Sequence, residues 1–75
     1  MKTVSEILKE QSDSSLIQMA KELKCKYMPM DAQVRKVCGE IFNCDAKDTS
    51  VMHFDLLAIY LAIELGDRFD LALNG

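Results

Sequence analysis

Three runs of this chain repeat apolar residues at the spacing of one helix face, and a fourth is apolar almost all round. The first run, Val4, Ile7 and Leu8, starts within Thr3-Val4-Ser5-Glu6. That tetrad reads as a capping box, in which the Thr3 hydroxyl serves the helix start and the Glu6 carboxylate reaches back. It predicts a helix over 4–11, of about two turns and dependent on docking, because so short a helix is marginal in water by itself. The cap formers Ser12-Asp13-Ser14-Ser15 separate it from a second helix over 15–27. Leu16, Met19, Ala20, Leu23 and Tyr27 share one face of that helix, and Lys21 and Lys24 lie off it. Met28-Pro29-Met30 ends it, since a residue before proline resists helical dihedrals.

Asp31 is placed to cap a third helix over 32–43, whose stripe is Val34, Val37, Cys38, Ile41 and Phe42. Arg35, Lys36 and Glu40 are expected to face water there, Asn43 to end the helix, and residues 44–50 to form a polar loop. The fourth run, residues 55–65, leaves only Tyr60 and Glu64 on a polar stripe, one turn apart. A helix so apolar is expected to be nearly surrounded by protein, with Tyr60 and Glu64 as its window to solvent. Ser50 and Asp55 compete to start it. If Ser50 did, Asp55 would point into the apolar face, where a carboxylate needs a partner, so Asp55 is expected to cap. Gly66 is expected to end it, and Asp67 to cap a short turn near 68–73 carrying Phe69, Leu71 and Leu73. The fold class is therefore all-α, a compact bundle of four to five short helices in a single domain, 1–75.

Composition supports a real core, because 49% of the 75 residues are hydrophobic. One proline and three glycines favour helices over a turn-rich β fold. The apolar run at 55–65 is too short to span a membrane, which takes about 20 apolar residues. The net charge of −3 argues against a general nucleic-acid binder. That charge is unevenly spread. Lys21, Lys24, Lys26, Arg35 and Lys36 make the middle basic, while Glu40, Asp45, Asp48, Asp55, Glu64, Asp67 and Asp70 make the rest acidic. Such segregation suits association with a charged partner or with a second copy.

Candidate chemistry is sparse. Cys25, Cys38 and Cys44 are odd in number and no apolar block follows Lys2, so free thiols in a reducing cytoplasm are expected, without a secretory signal. With His53 they could be imagined as a zinc site, but no paired C-x2-C or H-x3-H spacing occurs and Cys38 belongs to an apolar stripe. A cysteine nucleophile would need His53 oriented by a third group, and no local signature supplies one. Asp67 and Asp70 read more simply as helix caps than as an acid–base pair. No enzyme, metal or cofactor is expected. The second and third helices could form a helix-turn-helix offering Gln33, Arg35 and Lys36 to DNA. Pro29, the lack of glycine in the connection and the acidic end oppose that reading. Met28 and Met30, beside Pro29 and off any core stripe, could add a plastic binding surface.

Val34-Arg35-Lys36-Val37-Cys38-Gly39-Glu40-Ile41-Phe42 is similar to the first helix of acyl carrier proteins, V-x-x-I-I-x-E-x-L. Leu56 to Leu65, followed by Asp67-Arg68-Phe69-Asp70-Leu71, resembles that family's second helix and its exit. Size, acidity and helical character agree. The resemblance implies a carrier serine at the start of the second helix, and Asp55 occupies that position here. An aspartate cannot take a phosphopantetheine arm, so the implied protein is a degenerate carrier without its cofactor. The reading that best fits all of this is a small non-catalytic protein-interaction protein: an adaptor, chaperone-like partner or inhibitor. Its expected contact residues are Lys21, Lys24, Arg35, Lys36, Tyr60 and Glu64, with a homodimer through the 55–65 helix as one form of the association.

Overall fold

In the computed structural model, which describes residues 2–69, α-helices one to three start where a polar side chain meets their free backbone N–H groups. There are four α-helices and one 3₁₀ turn: α1 Val4–Lys9, α2 Asp13–Lys24, α3 Gln33–Phe42, the turn Ala46–Asp48 and α4 Val51–Phe69. No strand occurs among the described residues. The capping box of α1 forms as expected, with the Glu6 N–H donating to Thr3 Oγ1 at 3.2 Å and the Thr3 N–H donating to Glu6 Oε1. Ser12 caps α2 by accepting from the Ser15 N–H at 3.1 Å.

The start of α3 departs from expectation. Asp31 does not cap it; Ala32 occupies the cap position and has no side chain to offer. The missing acceptor comes from α2, where Glu22 accepts the Gln33 N–H at 3.0 Å and the Val34 N–H at 2.8 Å. A carboxylate at the positive end of a helix is well placed, and this one also fastens α2 to α3. Burial pushes the Glu22 carboxyl up, but the Gln18 amide and the two N–H groups of α3 outweigh it and hold it below the ordinary glutamate value of 4.5. A depressed folded value means that this contribution is complete above 4.5 and is lost as the pH falls through the folded value. Glu22→Ala is therefore expected to lower stability by about 1–2 kcal/mol at neutral pH. Urea unfolding at pH 7 and again at pH 3 checks it, since the gap between the two proteins should shrink in acid.

Asn43 ends α3 in the left-handed conformation, φ 54°, and the Cys44 N–H then closes on the Gly39 carbonyl at 3.0 Å. Gly39 allows this close turn: a Cβ there would stand 2.8 Å from the Cys44 carbonyl oxygen. Residues 44–50, expected as loop, contain the 3₁₀ turn.

α4 is longer than the sequence suggests at both ends. It begins at Val51, so Asp55 lies inside the helix and does not cap it. The Ser50 N–H donates to His53 Nδ1 at 3.1 Å, the backward half of a capping box with histidine in the usual place of glutamate. The helix also runs through Gly66, a residue that costs only about 1 kcal/mol relative to alanine inside a helix. Asp67, Arg68 and Phe69 are helical, and the rest of the expected turn, Leu71 and Leu73 included, falls outside the described residues.

α1, α2 and α3 all pack on one side of α4. Leu8 from α1, Leu16 and Met19 from α2, Val34, Val37 and Cys38 from α3, and Leu57 and Leu61 from α4 form the core. Tyr27, expected on the α2 stripe, lies beyond the helix end and is exposed. A histidine–aromatic stack adds a further α3–α4 contact, with Phe42 and His53 ring centroids 4.5 Å apart.

Candidate functional site

A helix apolar on every face needs neighbours on every face, and α4 has them on one. Leu57 and Leu61 point into the core, and Glu64 joins them at 9% exposure. Met52, Leu56, Ile59 and Ile63 recur at i, i+4, i+7 and i+11, so they form one continuous stripe along the helix. All four are exposed: Met52 at 74%, Leu56 at 44%, Ile59 at 59% and Ile63 at 48%. Tyr60 runs along one edge at 39%. At the N-terminal end of α4, a cleft combines apolar Leu23, Tyr27, Met28, Val51 and Phe54 with polar and charged groups, among them Lys26, Arg35 and Asp55. Contiguous apolar patches of several hundred Å2 on a small protein usually mark a binding face. This one runs about 16 Å along α4, taking 1.5 Å of rise per residue from 52 to 63.

Leu57 and Leu61 are buried and Tyr60 exposed as the sequence predicts, but the rest of α4 departs from expectation. Leu56, Ile59 and Ile63, expected in the core, face solvent, and Glu64, expected at the solvent window, is buried. Arg68 explains the difference. One turn after Glu64 on a helix that does not stop at Gly66, its Nη2 donates to Glu64 Oε2 at 3.0 Å. The same guanidinium donates to the carbonyls of Gln11 at 2.7 Å and Lys9 at 3.2 Å, and pairs with Asp13 at 3.0 Å. Glu64 can face inward because this cation meets it there.

The other expected contact residues do not gather into one site. Lys21, Lys24 and Lys36 are exposed on α2 and α3, with Lys36 near enough to Glu22 to help lower its carboxyl. Arg35, expected to face water, is half-buried. Its guanidinium donates to the carbonyls of Met28 and Pro29 and to Thr49 Oγ1, and lies 5.3 Å over the Phe54 ring. These bonds commit it to the fold, although it also lines the cleft beside Val51, Phe54 and Asp55. Eight residues separate α2 from α3, where a helix-turn-helix connection takes about 3–4. Asp55, at the position of the carrier serine, is an exposed helical carboxylate.

Of the three free thiols, Cys38 is the one held in the core. Cys38 is buried, and burial first, then the neighbouring Cys44, pushes its thiol up to about 12. A thiol held so high is protonated and a poor nucleophile at neutral pH. His53 is occupied by the Ser50 N–H and stacked on Phe42. Among the described residues no group of three or more His, Cys, Asp or Glu side chains is arranged to hold a metal. No helix among them is long and apolar enough to cross a membrane. Comparison of the chain with protein-family models, with curated proteins and with solved structures finds no match.

Proposed function

We propose that this chain is a small non-catalytic binding protein that docks another protein on the outer face of α4. The observation that carries the reading is the stripe of Met52, Leu56, Ile59 and Ile63, apolar and exposed along three turns of the longest helix. Water against that much hydrocarbon is unfavourable by roughly 25 cal/mol for each Å2, and a partner removes it. The high thiol of Cys38 and the engaged His53 fit a protein that binds without catalysing. Free cysteines suit a reducing, cytoplasmic setting.

Ile59→Asp tests this directly. At an exposed position the substitution is expected to leave the folding free energy within about 0.5 kcal/mol of the parent. The parent should form a defined complex in chemical cross-linking and sedimentation velocity, with itself or with a captured protein, and Ile59→Asp should abolish that same complex. A parent that forms no complex sensitive to Ile59→Asp would overturn the reading.

A further inference from the structure

Among the described residues, the polar bonds fall into two sets that barely meet. Every hydrogen bond made by a side chain of residues 2–10 stays within that segment. Lys2 Nζ donates to Glu10 at 2.7 Å, and Thr3 and Glu6 serve each other in the capping box. The other helices are tied across to one another. Glu22 of α2 accepts from the Gln33 and Val34 N–H groups of α3, and Gln33 Nε2 donates to Ser15 Oγ at 3.1 Å. Arg35 joins the α2–α3 connection to the 3₁₀ turn. α1 packs chiefly on α4, and a cleft lined by Ile7, Glu10, Glu40 and Ile41 lies between it and the end of α3.

Two things hold α1 in place. Leu8 is fully buried and Ile7 nearly so, which anchors the helix by its apolar face. Arg68 supplies the polar hold. It donates to the carbonyls of Lys9 at 3.2 Å and Gln11 at 2.7 Å and pairs with Asp13 at 3.0 Å, so one guanidinium grips both sides of the joint at residues 10–12. A cation at the carbonyl end of a helix is favourably placed. Away from its seat, however, a six-residue helix has almost no stability of its own. A segment with its own internal bonds and few ties outward is the kind that opens as a separate cooperative unit in a native protein.

We infer that α1 is a strap: it undocks as a unit about residues 10–12 while α2, α3 and α4 stay paired, and Arg68 is its latch. Opening uncovers the flank of α4 that α1 covers and frees the Arg68 guanidinium from the α1 carbonyls. This holds whether or not the outer face of α4 docks a partner.

Native-state hydrogen exchange of the full chain in low urea tests it. The Ile7, Glu10 and Gln11 N–H groups, which donate to the Thr3, Glu6 and Leu8 carbonyls, report on α1. The Val37 and Cys38 N–H groups report on α3. The three α1 amides should share one protection factor, at least about tenfold below that of Val37 and Cys38. Their exchange should depend little on urea, because a local opening exposes little surface. Arg68→Lys keeps a cation for Glu64 but cannot hold several carbonyls at once, so it should speed α1 exchange about tenfold. Leu8→Asp should strip α1 of protection and leave Val37 and Cys38 protected at least about tenfold, in a chain that still unfolds cooperatively. Equal protection of α1 and α3 in the parent with the same urea dependence, or loss of α3 protection in Leu8→Asp, would place α1 in one cooperative unit with the rest and overturn the strap. Protection that climbs steadily from Ile7 to Gln11 would show fraying of the helix start, and unchanged α1 exchange in Arg68→Lys would remove the latch. Either outcome also overturns the strap as stated.

Discussion

Replacing Arg68 with alanine is expected to destabilise the protein, because it leaves the Glu64 carboxylate without its cation in a part-buried place. The Arg68 and Glu64 side chains are only 18% and 11% exposed, so the carboxylate left behind would be largely shielded from water. Arg68 also donates to the Lys9 and Gln11 carbonyls at and beyond the end of α1, and with longer geometry to Leu8. Those carbonyls would lose their donor too. α1 has six residues and little helical stability of its own, so its docking depends on such ties. In a domain of this size, where each 1 kcal/mol moves the melting temperature by about 4–8 °C, the loss should be plain as a fall in melting temperature. Arg68→Met with Glu64→Leu should recover part of the loss, because the isolated charge is gone while the carbonyls remain without a donor. Urea unfolding of the parent, the single variant and the double variant separates the two contributions. A single-variant loss below about 1 kcal/mol would mean that water solvates the pair, as at a surface ion pair.

That same arginine marks the limit of what the sequence could reveal. The first three helices were legible because their stripes are narrow: Leu16 and Met19, then Val34, Val37 and Cys38, are buried where period alone places them. Thr3 was legible as a cap because its hydroxyl acts within the same few residues, and the cap formers at 12–15 marked the start of α2 without singling out Ser12, which starts the helix two residues earlier than expected. Glu22 was not, because it serves a helix that starts eleven residues further on, and nothing local distinguishes it from a solvated acid. α4 was the hardest to read. Periodicity tells which positions share a face but not which face meets the core, and on a helix apolar nearly all round that choice is open. Taken alone, Glu64 marks the solvent side. Its inward turn depends on Arg68, and Arg68 reaches it only if the helix continues through Gly66. Ending the helix at Gly66 therefore removes the partner of Glu64 and leaves that carboxylate nowhere to go but solvent, while Leu57 and Leu61 stay in the core either way. The useful signal was one of proportion: helices of 6, 12 and 10 residues cannot wrap a fourth of 19.

Arg35 should prove nearly as sensitive, and in a way that separates its shape from its charge. Its Nε donates to the Pro29 carbonyl at 3.0 Å, Nη2 to the Met28 carbonyl at 3.0 Å, and Nη1 to Thr49 Oγ1 at 3.0 Å. No carboxylate pairs with it among the described residues. One planar group thus ties the α2–α3 connection to the 3₁₀ turn, and its face rests on Phe54 of α4. A lysine has the charge but neither the fork nor the flat face, so it can serve one of these acceptors at a time. Arg35→Ala is expected to cost about 2–3 kcal/mol, in line with loss of several hydrogen bonds from a charged donor. Arg35→Lys should still cost about 1–2 kcal/mol, since most of the lost interaction is geometric. The second readout is local. The Asp48 N–H, which donates to the Asp45 carbonyl at 2.9 Å, and the Thr49 N–H, which donates to Ala46, should exchange with solvent faster in both variants. The α2 amides ahead of Lys24 should keep protection in proportion to global stability. If Arg35→Lys matched the parent in stability and in exchange at residues 48 and 49, the cation alone would be sufficient. The half-buried guanidinium could then be counted among charges free to meet a partner, as its place in the sequence first suggests.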